Sequence, residues 1–384
     1  MRIHKKTLLV FFLILLSTAI IRIKASDSLD NNISLNYITH DPIFIISDDN
    51  FTDYGFPGNG TAEDPYLIEN YYINNSTGIS IQSTTQHFII RNCFLESVSL
   101  GYIGIIIHRV APHTAFIYNN TCTGFSSLGG AGIQITYSTG VNITDNLCKE
   151  NFWGDINISD SNEIRVVNNV LENEVIVQYD MYITNVTDCL ISNNLCTGVA
   201  ANSLSISGSR NIIIDNNTLF RTHSCITLSD TSDCVISNNI IYKSSNYGIL
   251  CYGDSLFTNI SITNNLLQEN EMGVILGTRS RNSTISYNTF IDNHPEGDSK
   301  QAKDSGSNNT WYDIYALKGN FWSDWDGSGP YSIDGDANSF DLYPLSNPTI
   351  PPLIPEFNSK ISIIIIFSVV IYFVWIYKKS KRSD

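Results

Sequence analysis

Four oxygen-bearing side chains near the C-terminal end of the sequence have the alternating spacing of a calcium-binding loop. They are Asp334, Asp336, Asn338 and Asp341. Carboxylate and amide oxygens are the ligands that Ca²⁺ prefers, and alternate positions of a tight loop face one ion. Ser339 stands where an EF-hand loop has glycine, and Leu345 where it has a bidentate glutamate. The pattern therefore leaves two interpretations open, a calcium site and a polar turn.

Histidine and methionine, the residues expected of a copper site, are sparse. Beyond residue 26 the sequence has six histidines and two methionines, Met181 and Met272. His108 and His113 are the only close pair, and Pro112 between them predicts a corner of the chain instead of a shared strand face. We interpret both as polar surface residues.

Three aspartates offer carboxylates for acid–base chemistry. Asp155, Asp160 and Asp180 are close enough in sequence to lie in neighbouring turns of a repetitive fold. A polysaccharide lyase or hydrolase needs several such groups, with a base or a general acid, on one external face. Because the arginines of this region are scattered, the sequence does not complete such a centre, and we favour a protein without catalytic activity.

The elements that position these residues come from a phrase repeated nine times, apolar-x-apolar-x-x-Asn-x-apolar. Its asparagines are separated by 22 to 28 residues, which is the spacing of a solenoid. The residues three before and two after each asparagine are apolar, beginning with Ile89 and Phe94. Stacked at the spacing of neighbouring strands, roughly 4.8 Å, they would form continuous apolar columns. The repeated asparagines are Asn92, Asn120, Asn146, Asn169, Asn194, Asn217, Asn239, Asn265 and Asn288.

A second strand pattern separates two candidate solenoids. A leucine-rich repeat has the same phrase but continues into a helical segment. Here an alternating strand pattern appears about 11 to 15 residues after the asparagine, as in Ile133-Gln134-Ile135. The sequence therefore predicts an all-β, right-handed parallel β-helix, with the leucine-rich repeat as the alternative.

The repeated asparagines have a structural explanation. Asparagine tolerates the left-handed conformation often needed at a tight corner, and its amide both donates and accepts hydrogen bonds. We expect these side chains to form a ladder from coil to coil. Cysteines occupy apolar positions of the same phrase, so we predict buried thiols, with a disulfide between Cys122 and Cys148 as the alternative for that pair.

Both ends of the chain differ from the repeats. Residues 1–26 combine a basic start with an apolar run over 8–21, which predicts a signal peptide, or an uncleaved anchor as the alternative. Residues 361–377 carry no charge and precede a basic tail at 378–384, the pattern of a transmembrane helix with its tail in the cytoplasm. We predict a membrane-anchored cell-surface protein with its ectodomain outside.

The predicted ectodomain is strongly acidic. Between Ser26 and Ser359 the sequence has 36 acidic and 12 basic residues, which disfavours nucleic acid and anionic membranes as ligands. Divalent cations and neutral glycans are more compatible partners. The chain also has thirteen Asn-x-Ser/Thr sequons, and we expect an exported protein to carry glycans at exposed ones.

The domain boundaries follow from these patterns. We predict a spacer at 27–42, the β-helix at 43–293, a loop and C-terminal cap at 294–346, and a Pro-rich linker at 347–360. Residues 294–309 lack a strand pattern and indicate a loop bulging from the stack. The aromatic residues that follow would cover the open end of the solenoid, which otherwise exposes its core and strand edges.

Short motifs at the two ends resemble a known subgroup of β-helix proteins. Residues 58–69 (GNGTAEDPYLIE), 319–325 (GNFWSDW) and 341–345 (DLYPL) are similar to the NosD-like subgroup of the carbohydrate-binding and sugar-hydrolase (CASH) class. The likeness covers about residues 43–346. The resemblance implies a parallel β-helix, in a subgroup that includes a periplasmic protein of copper-enzyme maturation and many archaeal surface proteins.

These observations together predict a binding or structural module on the cell surface, with glycans or surface proteins as partners. Calcium is the one candidate cofactor. Two alternatives remain, a polysaccharide lyase or hydrolase and a NosD-like copper-handling protein. Charged residues converging on one face would identify the first, and histidine or methionine side chains within ligand distance of each other would identify the second.

Overall fold

The computed structural model describes residues 37–349 and 351, apart from 75, 98–101, 126–128, 175–176 and 294–299. The predicted signal peptide, transmembrane helix and basic tail lie outside the described residues. The described part of the chain has one short helix, α1 (Asn50–Tyr54). None of its residues forms a helix with the length and apolar character that a membrane span requires.

Three long sheets of parallel strands form a β-helix, because successive strands of the chain enter the three sheets in turn. Sheet A has 12 strands: β1 (Ile38–Thr39), β4 (Tyr71–Asn74), β7 (Phe94–Glu96), β10 (Thr121–Thr123), β13 (Leu147–Lys149), β16 (Val170–Asn173), β19 (Leu195–Gly198), β22 (Thr218–Phe220), β25 (Ile240–Tyr242), β29 (Leu266–Gln268), β33 (Thr289–Ile291) and β35 (Phe321–Trp322). Sheet B has 11 strands: β2 (Ile43–Ile45), β5 (Ile79–Gln82), β8 (Ile103–His108), β11 (Ala131–Thr136), β14 (Gly154–Ser159), β17 (Tyr179–Thr184), β20 (Asn202–Ser207), β23 (Ser224–Ser229), β26 (Tyr247–Tyr252), β30 (Met272–Leu276) and β34 (Ala302–Asp304). Sheet C has 10 strands: β3 (Tyr66–Glu69), β6 (Phe88–Arg91), β9 (Ala115–Tyr118), β12 (Asn142–Thr144), β15 (Arg165–Val167), β18 (Thr187–Ser192), β21 (Arg210–Asp215), β24 (Cys234–Ser237), β28 (Ile260–Thr263) and β32 (Thr284–Ser286). Two small pairs complete the fold: the parallel β27 (Phe257–Thr258) and β31 (Ser280–Arg281), and the antiparallel β36 (Tyr331–Ser332) and β37 (Phe340–Asp341). The prediction of a parallel β-solenoid is confirmed.

The repeated phrase spans two strands of different sheets that meet at a corner. Ile143 lies in β12 of sheet C and Cys148 in β13 of sheet A, with Asn146 between them. Ile143 pairs in register with Ile117 and Val166 of the neighbouring coils, and all three are fully buried. Because equivalent positions keep the same character, apolar columns run through the interior from coil to coil.

The first complete coil differs from the predicted register by one residue. In β6 and β7 the buried columns are occupied by Ile90 and Leu95, whereas Ile89 and Phe94 are only partly buried. The corner sequence explains the difference, because Cys93 stands at the place that asparagine holds in later coils. The prediction counted from Asn92 and not from Cys93, so in this coil it named residues one position too early in the sequence.

Part of the segment predicted as a loop belongs to the stack. β34 pairs in parallel with β30, so the prediction of a loop over 294–309 is wrong for its residues. Sheet A likewise continues to β35, beyond the predicted end of the coils at 293. The sequence of β34, Ala-Lys-Asp, is too short and too polar to show an alternating pattern.

Aromatic side chains cover both ends of the apolar columns. At the first end, Phe51 of α1 is fully buried and stacks on Tyr66, with ring centroids 4.7 Å apart. At the other end, Trp322 stacks between Phe290 and Tyr331, with centroids 4.1 Å from each. The rings thus extend the columns by further layers and keep the last aliphatic side chains from water.

All eight cysteines are buried, and all are free thiols. Cys122 and Cys148 pair directly in neighbouring coils without a disulfide between them. Burial raises the pKa of Cys189 and of Cys225 to about 12. These side chains therefore act as small apolar groups in the stack.

Candidate functional site

Asparagine side chains form a continuous ladder along the corner between sheets C and A. In one layer, the side-chain oxygen of Asn194 accepts from the main-chain and side-chain N–H groups of Asn169, at 2.9 and 3.0 Å. Its own amide donates to the carbonyl of Val166 at 2.8 Å and to the side-chain oxygen of Asn217 at 3.0 Å. The buried amide is therefore fully satisfied. The ladder connects Asn120, Asn146, Asn169, Asn194, Asn217, Asn239, Asn265, Asn288 and Asn320.

The two ends of this ladder differ from the sequence prediction. Asn92 is not a member, because Cys93 holds the ladder place in its coil and donates its main-chain N–H to Asn120 at 3.0 Å. Asn320 is an additional member at the start of the cap. The residue before the ladder position adopts the left-handed conformation, and the ladder asparagine itself does not. Examples are Asn119 with φ 52° and Asn92 with φ 53°.

The four residues of the calcium-like pattern do not form one cluster. Asp341 is buried in the cap, where its carboxylate accepts from the indole N–H of Trp322 at 2.9 Å. Asp336 and Asn338 are exposed, and Asp334 accepts a hydrogen bond from a main-chain N–H elsewhere in the cap. Within the described ranges, no three His, Cys, Asp or Glu side chains are placed to hold a metal ion.

The described histidines do not fit a copper centre. His108 Nδ1 lies 2.7 Å from Thr136 Oγ1, whereas His113 Nε2 lies 3.5 Å from a carboxylate oxygen of Glu163. Met181 is fully buried among apolar side chains. His108, His113 and Met181 therefore make separate local contacts and do not converge on one ion.

Two of the three aspartates considered for catalysis lie inside the β-helix. Asp155 and Asp180 occupy equivalent places in β14 and β17, and both are fully buried. The side chain of Asn173 bridges them, donating to Asp155 at 2.9 Å and to Asp180 at 2.7 Å. Asp160 lies at an outer corner, where it accepts from Asn185 at 3.1 Å. The three carboxyl groups therefore share no external face.

The surroundings of the two buried carboxyl groups disfavour their ionisation. Asn151 donates to Asp155 at 2.7 Å, and Ser203 donates to Asp180 at 2.5 Å. Burial raises the pKa of Asp180 to about 7. Burial and the negative charge of Asp180 together raise the pKa of Asp155 well above its ordinary value. Burial, and then the charges of Asp180 and Asp155, raise the pKa of the neighbouring Cys196 thiol well above its ordinary value.

On the outside of sheet B, next to this pair, three aromatic rings form a cluster in which Trp153 is exposed and the two tyrosines are half-buried. Trp153 directly precedes β14, while Tyr179 and Tyr182 belong to β17. The rings of Trp153 and Tyr179 meet edge to face at 6.3 Å, and those of Tyr179 and Tyr182 lie 4.8 Å apart at 30°. Trp153 is 41% exposed. Burial and the neighbouring Tyr182 raise the pKa of Tyr179, so its hydroxyl stays neutral.

Asn157 adjoins this cluster and has an unpaired acceptor. It pairs in register with Tyr182 across β14 and β17. The side chain of Asn157 is 7% exposed, and its Oδ1 has no hydrogen-bond partner in the part of the chain that the structure describes. A Cβ atom at Gly154 would lie 2.2 Å from this oxygen, so the Asn157 side chain fills the space that the missing Cβ leaves. We call Trp153, Gly154, Asn157, Tyr179 and Tyr182 the aromatic–amide patch.

Several solved structures resemble this chain in fold but share little sequence identity with it. The first is ORF18 of Geobacillus virus E2, with 11% identity and a TM-score of 0.48, covering 75% of this chain and 57% of that one. The A-module of mannuronan C-5 epimerase AlgE6 from Azotobacter vinelandii has 12% identity and a TM-score of 0.48, covering 85% and 91%. The periplasmic alginate epimerase AlgG has 13% identity and a TM-score of 0.42, covering 80% and 85%.

No curated protein matches the sequence. Residues 130–327 match the family described as "Periplasmic copper-binding protein (NosD)". This match includes most of the coils, the last strands of all three sheets and the start of the cap. Since it spans more than half of the sequence, and the motifs at 58–69 and 341–345 point the same way, the chain belongs to the NosD family.

Proposed function

We propose that the protein is an exported β-helix that acts at the cell surface as a binding or structural module for glycans or partner proteins, without a catalytic step. The observation that carries this proposal is the placement of the candidate carboxylates. Asp155 and Asp180 are sealed in the interior, and Asp160 lies apart at a corner. A substrate on the outer surface would therefore meet no pair of these groups in the acid and base positions that glycoside chemistry requires.

Export and anchoring rest on the two ends of the sequence. Residues 1–26 have the pattern of a signal peptide, and 361–377 that of a membrane span with a basic flank. The family description places its members in the periplasm, which supports export. A rigid stack of coils fixed by one end would present its outer sheets to the surroundings of the cell.

Copper handling is the function that the family description suggests first. The donors described above do not support it, because His108 and His113 are engaged with Thr136 and Glu163 respectively. We therefore propose that this protein keeps the architecture of the family and uses it for another ligand. Titration with Cu²⁺ and Cu⁺ provides an independent check, and binding tighter than micromolar would restore the copper alternative.

The proposal is tested by measuring binding and turnover on the same samples. The full-length protein in detergent is incubated with a panel of neutral and acidic polysaccharides and with extracts of surface proteins. Retention is measured by affinity gel electrophoresis, and release of new reducing ends or unsaturated sugars is measured in parallel. Retention without product supports a binding module, whereas steady product formation would show that the protein is an enzyme.

A further inference from the structure

Sheet B carries a long outer surface without charge. The five consecutive strands β11, β14, β17, β20 and β23 contain only two charged residues, Asp155 and Asp180. Both of these side chains are fully buried, so the outward positions of all five strands are uncharged. In an ectodomain with 36 acidic and 12 basic residues, such a face is unlike the rest of the surface. A ligand lying along it meets hydroxyls, amides and rings only.

The aromatic–amide patch gives this face a defined centre. The Tyr179 ring contacts Trp153 of the neighbouring coil and Tyr182 of its own strand, and 41% of Trp153 is exposed. The next strands along the sheet, β20 and β23, carry small polar side chains outward. Exposed rings present apolar faces together with polar edges, and grouped rings on a soluble protein mark binding surfaces. The C–H face of a pyranose ring has the size and polarity to stack on such a ring.

The unpaired oxygen of Asn157 points to a ligand that donates hydrogen bonds. A buried acceptor without a partner costs about 1 to 3 kcal/mol, and a donor from a ligand recovers this cost. The oxygen has almost no accessible surface and lies against Gly154, so the side chain of Asn157 must rotate outward to meet such a donor. Gln134 and Tyr182 flank Asn157 in register on the adjacent strands, so further polar contacts lie one strand spacing away, roughly 4.8 Å. A chain of sugar units lying across the strands would find a contact at each coil.

From these observations we infer that the aromatic–amide patch binds an uncharged oligosaccharide, stacked on Tyr182 and Trp153 and donating a hydroxyl hydrogen bond to Asn157. This inference rests on the proposed function and names its site and ligand class. Acidic glycans fit less well, because the surface offers no cation to pair with a carboxylate and the acidic protein repels them. A protein loop would also cover rings, but β20 and β23 offer no charged side chain to pair with the charged groups that a loop brings.

The test uses the full-length protein in detergent, titrated by calorimetry with neutral oligosaccharides (gluco-, manno- and xylo-oligomers) and with oligogalacturonate. Tyr182→Ala should weaken binding of the best neutral ligand at least about tenfold, and Asn157→Asp should weaken it similarly by placing a negative charge beside the rings. Trp153→Phe, which keeps a ring, should stay within about threefold of wild type. Tyr118→Ala is the matched control, because Tyr118 is 42% exposed on the outer face of sheet C and should not affect binding.

The possible outcomes distinguish an error in the proposed binding site from an error in the proposed function. Neutral binding that survives both Tyr182→Ala and Asn157→Asp would place the glycan elsewhere and overturn the site while the proposed function stands. Tighter binding of oligogalacturonate than of any neutral oligomer would overturn the ligand class. Retention of a protein partner with no glycan binding at all would overturn the inference and leave the protein-binding form of the proposed function. Unchanged circular dichroism and melting of each variant exclude misfolding as the cause of a loss.

Discussion

The Asp180→Asn substitution replaces one of the two buried carboxyl groups by an amide of the same shape. The amide oxygen can accept the hydrogen bond from Asn173, and the amide N–H can donate to the Ser203 hydroxyl. An aspartate ionises freely in the unfolded chain but not in the interior, and this difference is lost with the carboxyl group. We therefore predict that Asp180→Asn stabilises the protein at neutral and alkaline pH.

The pKa of Asp180 fixes the size and the pH window of the effect. It is about 7 in the folded protein against an ordinary value of 3.8. Below the lower value both states hold the proton, so Asp180 adds no pH dependence. Between the two values only the folded state holds it, and stability falls as the pH rises, by about 1.4 kcal/mol for each pH unit. Above the folded pKa the loss is constant, on the order of 4 kcal/mol.

Urea unfolding at about pH 5.5 and about pH 8 measures most of this window while the protein stays above its pI of about 4.7. Between these pH values the free energy of unfolding should fall by about 2 kcal/mol more in the wild type than in Asp180→Asn. Asp160→Asn is the matched control, because Asp160 lies at an outer corner bonded to Asn185 and should keep the wild-type dependence. Parallel pH dependences of wild type and Asp180→Asn would refute the argument that Asp180 is buried and protonated.

The ladder, the cap and the thiols provide further predictions. Asn194→Ala should lower the free energy of unfolding by about 2 kcal/mol or more, since it leaves several buried groups unpaired. The control Asn142→Ala, on the outer face of sheet C, should change it by less than about 0.5 kcal/mol. Equal effects of the two substitutions would contradict the structural role of the ladder. Trp322→Ala should cost about 3 to 5 kcal/mol in the same assay, because Trp322 is sandwiched between two rings, and a neutral result would show that it does not cover the core. Ellman's reagent should find no reactive thiol in the folded protein and all eight after denaturation. Rapid reaction of any thiol before unfolding would contradict its burial.

The fold was predictable because its interior repeats. A residue such as Ile143 must match its neighbours above and below, so each coil repeats the constraint and the sequence shows it as a period. The prediction went wrong where a coil departs from that period. In the first coil, asparagine stands at the left-handed corner as Asn92, and Cys93 takes the ladder place, which spacing alone does not distinguish. Asn320 escaped notice because 32 residues separate it from Asn288.

The candidate site was not predictable in the same way, because outward positions carry no stacking constraint. Tyr179 and Tyr182 stand where the next two strands, β20 and β23, hold asparagine, serine or threonine, and this contrast was the one signal in the sequence. The contact of Tyr179 with Trp153 depends on how two coils meet, and that of Asn157 with Gly154 depends on the course of β14. Conversely, the Asp-rich pattern in the cap suggested a metal loop, but β37 carries Asp341 into the interior, where it bonds to the cap.

The most direct test of the account is a crystal structure of the protein grown with the neutral oligosaccharide that binds it most tightly. We predict a sugar ring stacked on Tyr182, in contact with Trp153, and a hydroxyl within hydrogen-bond distance of Asn157 Oδ1. A sugar bound at the exposed cap tip around Tyr315, which is 93% exposed, with the outer face of sheet B bare, would contradict it.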